Sequence, residues 1–530
     1  MPTPPDLSTN DRLRGLPERT RLLAQRAQAC IELGDPLQAA ALLDEALAHS
    51  AAHPELLRLR GLADHFQGRF AEAAARLREA ARALPEDGLI ESNLGAALAQ
   101  GGDIDAALRS FRRATEIDPT LIDAWFNLGR ALELHADAAG AHAAFSAVLE
   151  LDLRHRAARI LRAEASKTLG RIDESEAELR TVLNEDPGSV SAWVALSNLK
   201  SFRADADDLR ALAALHAHGA LTPAQRIDIG FAYASQLETA GNYARAFEVF
   251  AESNAAKRRL LRWDSAAVGK LVDDILGAFE SPQAETEDAS CGSGIVFLVG
   301  MPRSGSTLAE QIIAAHPEAS AGAETGFVAQ TLQHESKRRG TRFPHWVKDA
   351  SDDDWIRLGE DYLARIAALK GDARVFTDKT LTNWQTLGAL RRMLPGARIV
   401  QCRRDALETA WSCYKHNFAR DQLYSYDIDE LAAFFRDQAR AMDAWKARHP
   451  DWIHEHRYEA LIAEPESSVR ALLAHCGLPF DAACLDFHAL ERDVRTASAA
   501  QVRRPLDKDT AVAKRYGALL DPLRGALGDL

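Results

Sequence analysis

The sequence predicts an α-solenoid followed by a three-layer α/β domain with a parallel sheet. Two observations carry this. Self-similarity recurs every 34 residues through the first part of the chain, the mark of stacked helical hairpins. At Gly294 the pattern changes to a short apolar run, a Gly-bearing loop and a helical segment, the arrangement of a parallel strand feeding a helix. At 530 residues the chain is too long for one core.

The repeat is read position by position. Small residues stand at Ala27, Gly61, Gly95, Gly129 and Ala163, and again twelve residues later at Ala39, Ala73, Ala107, Ala141 and Ser175. Bulky partners follow at Leu43, Leu77, Phe111, Phe145 and Leu179, then Ala46, Ala80, Ala114, Val148 and Val182. Small residues let two helices cross closely, and the bulky ones fill the groove. Pro85, Pro119 and Pro187 close units because proline cannot continue a helix. Residues 1–19 read as a tail and 20–189 as five tandem helical hairpins. Residues 190–280 read as degenerate units, with Trp193 and Leu196 opening one and Tyr243, Ala246 and Phe250 marking another. The stretch 281–293, rich in Pro, Gly, Ser and acids, reads as a linker, and 294–530 as the α/β domain.

Charge and cysteine usage limit the function. Residues 1–290 hold 32 basic against 44 acidic side chains, and 291–530 hold 32 against 33. That acidic first half argues against nucleic-acid binding. The apolar run at 295–300 is far too short to span a membrane. Six cysteines without a CxxC pair read as buried side chains in a reducing compartment. With no apolar leader in 1–21, the expected location is cytoplasmic.

The loop Gly300-Met301-Pro302-Arg303-Ser304-Gly305-Ser306-Thr307 follows the first strand and opens a helix. Such a loop points backbone N–H groups at an anion. Its spacing is P-loop-like, but Ser306 stands where an NTPase needs lysine, and the cation is Arg303. A nucleotide kinase is therefore disfavoured. Further on come Ala315-His316-Pro317 with Gly322-Ala323-Glu324-Thr325, then Thr377-Asp378-Lys379, then Arg403-Arg404-Asp405 with Ser412, and Arg457-Tyr458-Glu459.

In that order these segments resemble sulfotransferases that use 3′-phosphoadenosine 5′-phosphosulfate (PAPS), and especially tyrosylprotein sulfotransferases and bacterial proteins that fuse tetratricopeptide repeats to such a domain. Trp125, Leu128 and Gly129 sit where the tetratricopeptide consensus wants them. The resemblance implies that Ser304, Gly305, Ser306 and Thr307 hold the 5′-phosphosulfate with Arg303. It implies that Arg404 and Ser412 hold the 3′-phosphate and that Tyr458 lies near the adenosine. Glu324, 21 residues after Arg303, takes the family's place for the general base, and Lys379 that of the cation on the sulfuryl and bridging oxygens. The tail resembles the family too, nominating Ser498 for the bridging region and Lys514 for closure over the nucleotide. His316, ahead of Pro317, reads as structural. Adenosine 3′,5′-bisphosphate would be the product. No metal-ligand spacing occurs, and cationic clamps can stabilise such a transfer without one.

The resemblance together with the repeats implies a protein or peptide acceptor gripped in the repeat groove, with tyrosine favoured, and neither a nucleic acid nor a membrane as partner. Sulfation of a glycan or small molecule, or a non-catalytic scaffold with a vestigial pocket, are the alternatives. For the repeats alone, a rigid spacer or dimerisation arm is the plainer role.

Overall fold

A computed structural model describes residues 12–50, 53–199, 201–280, 290–418, 421–490, 506 and 511–530. The chain forms two compact units, Met1–Phe202 and Arg203–Leu530. The first is helical. Five antiparallel hairpins run from Glu18–Glu32 with Pro36–His49 to Arg156–Thr168 with Ile172–Glu185, followed by the short helix Val190–Ser197.

The 34-residue pattern has a direct steric meaning. A Cβ on Gly61 would lie 2.7 Å from Leu77, on Gly95 2.7 Å from Phe111, and on Gly129 2.5 Å from Phe145. The bulky side chain sixteen positions on thus rests on its own hairpin's glycine, and Leu77, Phe111 and Phe145 are buried there. A second period escaped the sequence reading. Gly34, Gly68, Gly102 and Gly170 turn each hairpin with φ between 74° and 90°, and Ala136 does the same with φ 64°. A Cβ in this left-handed region costs roughly 1–2 kcal/mol. Ala136→Gly is therefore expected to stabilise the repeats by about 0.5–1 kcal/mol, seen as a higher Tm in thermal unfolding. An unchanged or lower Tm would show that the turn carries no strain.

In the second unit five parallel strands form one sheet of order β2-β3-β1-β4-β5: β1 (Ile295–Gly300), β2 (Ala319–Ala321), β3 (Val375–Asp378), β4 (Arg398–Arg403) and β5 (Ile453–Arg457). Four of these strands are legible in the sequence. β2 is not, because three small residues carry no periodicity. Side chains alternate across β1. Val296 and Leu298 pack on Ile312 and Ile313 of helix Ser306–Ala314 and on Leu472 and Leu473 of helix Pro465–Cys476. Phe297 faces the other way, its ring 5.6 Å from that of Tyr362 in helix Asp352–Lys370. Helices therefore cover both faces, and the expected three layers are present.

The helices Ala206–Ala217, Pro223–Thr239, Tyr243–Arg258 and Ser265–Ala278, grouped with the repeats by their spacing, lie within this second unit. Tyr243–Arg258 packs on helix Ala406–Tyr414, with Phe247 stacked on Trp411 at 5.8 Å and Asn254 Nδ2 donating to the Tyr414 carbonyl at 3.0 Å. Arg258 makes a two-pronged ion pair with Glu430 at 2.6 and 2.7 Å. Phe279 packs among Phe343, Trp355 and Trp445.

Candidate active site

The carboxyl ends of β1, β3 and β4 converge where the strand order reverses on either side of β1, the usual binding crevice of a doubly wound sheet. The loop after β1 leads through Gly305 (φ 93°) into helix Ser306–Ala314, whose N-terminus has no side-chain cap. Its first-turn N–H groups and dipole favour an anion. Within the loop Arg303 holds a left-handed φ of 69°, uncommon for a side chain with Cβ. Ser304 Oγ is buried without a hydrogen-bond partner, an orphan that a bound oxyanion would satisfy.

Arg303 is joined to Ser412, its Nε donating to Oγ at 3.0 Å. Burial, reinforced by the nearby Arg404, pulls the Arg303 guanidinium below its usual range, with Cys413 opposing. Two guanidiniums near enough to influence one another raise the local potential for an anion. Arg404 stands 4.9 Å over the Tyr458 ring and 3.8 Å from Glu408. Tyr458 also lies against Gly305, where an added Cβ would come within 3.0 Å of its ring. Arg303, Ser304, Gly305, Arg404, Ser412 and Tyr458 are thus brought together. Ser306 and Thr307 open the helix beside them, both buried.

Glu324 and Lys379 form a second group. Lys379, just past β3, is 1% exposed and donates to Glu324 Oε1 at 2.9 Å, while Glu324 itself is 58% exposed. The backbone fixes this meeting. Lys379 N donates to the Ala323 carbonyl at 2.8 Å, Gly322 N to the Thr377 carbonyl at 2.8 Å, and Ala323 N to Glu310 Oε1 at 3.1 Å. Asp378, fully buried, accepts from Thr325 Oγ1 at 2.6 Å, the Tyr362 hydroxyl at 3.0 Å and Thr380 N at 3.0 Å. The sequence marked Glu324 and Lys379, and Thr325 within the same motif, but missed Glu310 and Tyr362, which stand in no readable spacing.

Ser412 lies on helix Ala406–Tyr414, which Asp405 caps by accepting from Glu408 N at 2.9 Å. His316 is buried, its Nδ1 accepting from Glu318 N and its Nε2 donating to the Pro479 carbonyl, each at 3.1 Å. Lys514 is exposed, next to Ala513, whose N donates to Glu408 at 2.9 Å. Ser498 lies outside the described residues. Among the described residues no group of three His, Cys, Asp or Glu side chains could hold a metal ion, and no helix is long and apolar enough to cross a membrane.

Residues 296–482 match the model of the sulfotransferase family, and residues 95–135 match that of the TPR repeat. The chain thus carries one segment that matches the TPR repeat and, behind it, one that matches the sulfotransferase family. It is similar to an uncharacterized protein of Aquifex aeolicus, 26% identical over 67% of this chain and 48% of that one. It is also similar to protein-tyrosine sulfotransferase 1 of Danio rerio, 23% identical over 40% of this chain and 61% of that one. The chain thus spans about half to three fifths of these relatives' own lengths. Among solved structures it is similar to YrrB, a TPR protein with an unusual peptide-binding site, at 20% identity over 35% of this chain and 95% of that one, with a TM-score of 0.29. The matched segment of the sulfotransferase-family domain includes every nominated residue from Arg303 to Tyr458.

Proposed function

We propose that this protein transfers a sulfuryl group from PAPS to an acceptor hydroxyl. The observation that carries this reading is that the Arg303–Ser412 and Lys379–Glu324 pairs both stand past the carboxyl ends of adjacent strands, β1, β3 and β4. Ser304 to Thr307 and Arg303 suit the 5′-phosphosulfate, and Arg404 with Ser412 suits a dianionic 3′-phosphate. The acceptor oxygen bonds to sulfur as the bond from sulfur to the phosphate oxygen breaks. Glu324, reachable from solvent, receives the hydroxyl proton. Lys379, with Arg303, offsets the charge left on the departing oxygen. Ser498 would join them at the bridging region and Lys514 would close over the nucleotide.

The similarity to protein-tyrosine sulfotransferases and the match to a TPR repeat support a protein or peptide tyrosine as acceptor, recruited in the repeat groove. Calorimetry tests the cosubstrate. The full chain is expected to bind adenosine 3′,5′-bisphosphate, and Arg404→Ala to weaken that binding about 10- to 100-fold, as for loss of a charge-assisted contact. Binding of ATP with Mg²⁺ and none of adenosine 3′,5′-bisphosphate would overturn the reading. For the acceptor, labelled PAPS is offered with tyrosine peptides, glycans and small phenols, and label in peptides is the expected result.

A further inference from the structure

One buried charge cluster beside the site takes no part in the scheme above. Lys415, directly after helix Ala406–Tyr414, donates to both carboxylate oxygens of Glu238 at 2.7 and 2.9 Å. The two side chains are only 16% and 19% exposed. Glu238 belongs to helix Pro223–Thr239, outside the segment that matches the sulfotransferase family. Its Oε1 also accepts from the Tyr516 hydroxyl at 2.8 Å. Tyr516 is buried, its ring 4.5 Å from Trp411 and 5.1 Å from Tyr243. A carboxylate that serves two donors from distant parts of the chain fixes their separation.

Both donors lead to residues beside the anion loop. Lys415 is three residues past Ser412, which holds Arg303, and Arg303 is close enough to repel the Lys415 ammonium. Tyr516 is two residues past Lys514, in a segment also tied by the Ala513 amide to Glu408, next to Arg404. Glu238 therefore faces the ammonium of Lys415 and the hydroxyl of Tyr516, with Glu408 and Arg303 beyond them.

We propose that Glu238 is a positioning residue for nucleotide binding, joining the end of the Ser412 helix to the C-terminal segment that carries Lys514. The proposal rests on the PAPS reading and assigns a role to a helix that the repeat spacing alone would class as solenoid. It acts by geometry. With Glu238 in place the helix end and the C-terminal segment are held at one distance from each other. Without it Lys415 loses its counter-charge beside Arg303, and Tyr516 loses its acceptor.

The full chain is titrated calorimetrically with adenosine 3′,5′-bisphosphate as wild type, Glu238→Ala, Glu238→Gln and Tyr516→Phe, and amide exchange is followed at Ala513 to Tyr516. Glu238→Ala is expected to raise Kd about tenfold and Tyr516→Phe about threefold, in keeping with lost hydrogen bonds to a charged group. Those amides should exchange faster, and Glu238→Gln, which keeps an acceptor oxygen, should fall nearer wild type. Tyr516→Phe leaves the Lys415–Glu238 pair and the ring packing intact, so it carries the test alone if Glu238→Ala does not fold. Kd within twofold of wild type with the amides still protected would overturn the proposal. A wild-type chain that binds no adenosine 3′,5′-bisphosphate would instead overturn the nucleotide reading on which it rests.

Discussion

Lys379→Ala is expected to slow the proposed sulfuryl transfer about 10²- to 10³-fold, the usual cost of removing one preorganised donor from developing charge. The side chain is buried at the end of β3, with its ammonium on Glu324. Its backbone is pinned to Ala323, and the neighbouring Asp378 is held by three donors. Little else in the site can move into its place, so the loss falls on the chemical step. Glu324→Gln is expected to cost about 10²- to 10⁴-fold, as for a lost general base. The double variant should be scarcely worse than either if, as proposed, the two groups serve one proton and charge transfer. Single-turnover rates with labelled PAPS measure all three. A Lys379→Ala rate within threefold of wild type would remove the lysine from the mechanism.

The second large effect concerns where the catalytic unit begins. A chain starting at Cys291 is expected not to fold, whereas one starting at Arg203 should unfold cooperatively. Phe231, Phe250, Val272, Ile275 and Phe279 are all buried in this unit, and burial of such side chains is worth roughly 1.5–3 kcal/mol each. Even half of that sum approaches the roughly 5–15 kcal/mol that holds a typical domain together. Removing the helices would also expose Trp411 and Trp445 and leave Lys415 without Glu238. Soluble yield, near-ultraviolet circular dichroism and thermal unfolding of the two chains decide it. Cooperative unfolding of the shorter chain would show that the helices are dispensable.

Much of the molecule was legible residue by residue. The 34-residue spacing placed Gly95 under Phe111 and Gly129 under Phe145, because a helical hairpin repeats its crossing point at fixed sequence intervals. The run Ile295–Gly300, buried at every residue, announced a central parallel strand. The Ala136 turn was missed, since alanine carries no turn signal and only the left-handed φ of its glycine counterparts reveals it. Among site residues, Arg303, Glu324, Lys379, Arg404 and Ser412 stood in motif order. Glu310 and Tyr362, which hold the loop and strand around them, stood in none.

By itself, the sequence determined the local order of this protein: which segments are helical hairpins, which are strands, and where an anion loop opens. These depend on interactions over a few residues or on one repeat length. Only the tertiary structure decided which of these pieces share a core and which side chains meet. Helices Pro223–Thr239 and Tyr243–Arg258 read as solenoid by spacing, yet Phe247 and Asn254 pack on the Ser412 helix and Glu238 pairs with Lys415, 177 residues away. The reason is that periodicity specifies an apolar face or a close crossing but not the partner that covers it. A buried ion pair has no period at all. Its members are joined only when separate elements dock, and at that point Glu238 acquires its place between Lys415 and Tyr516.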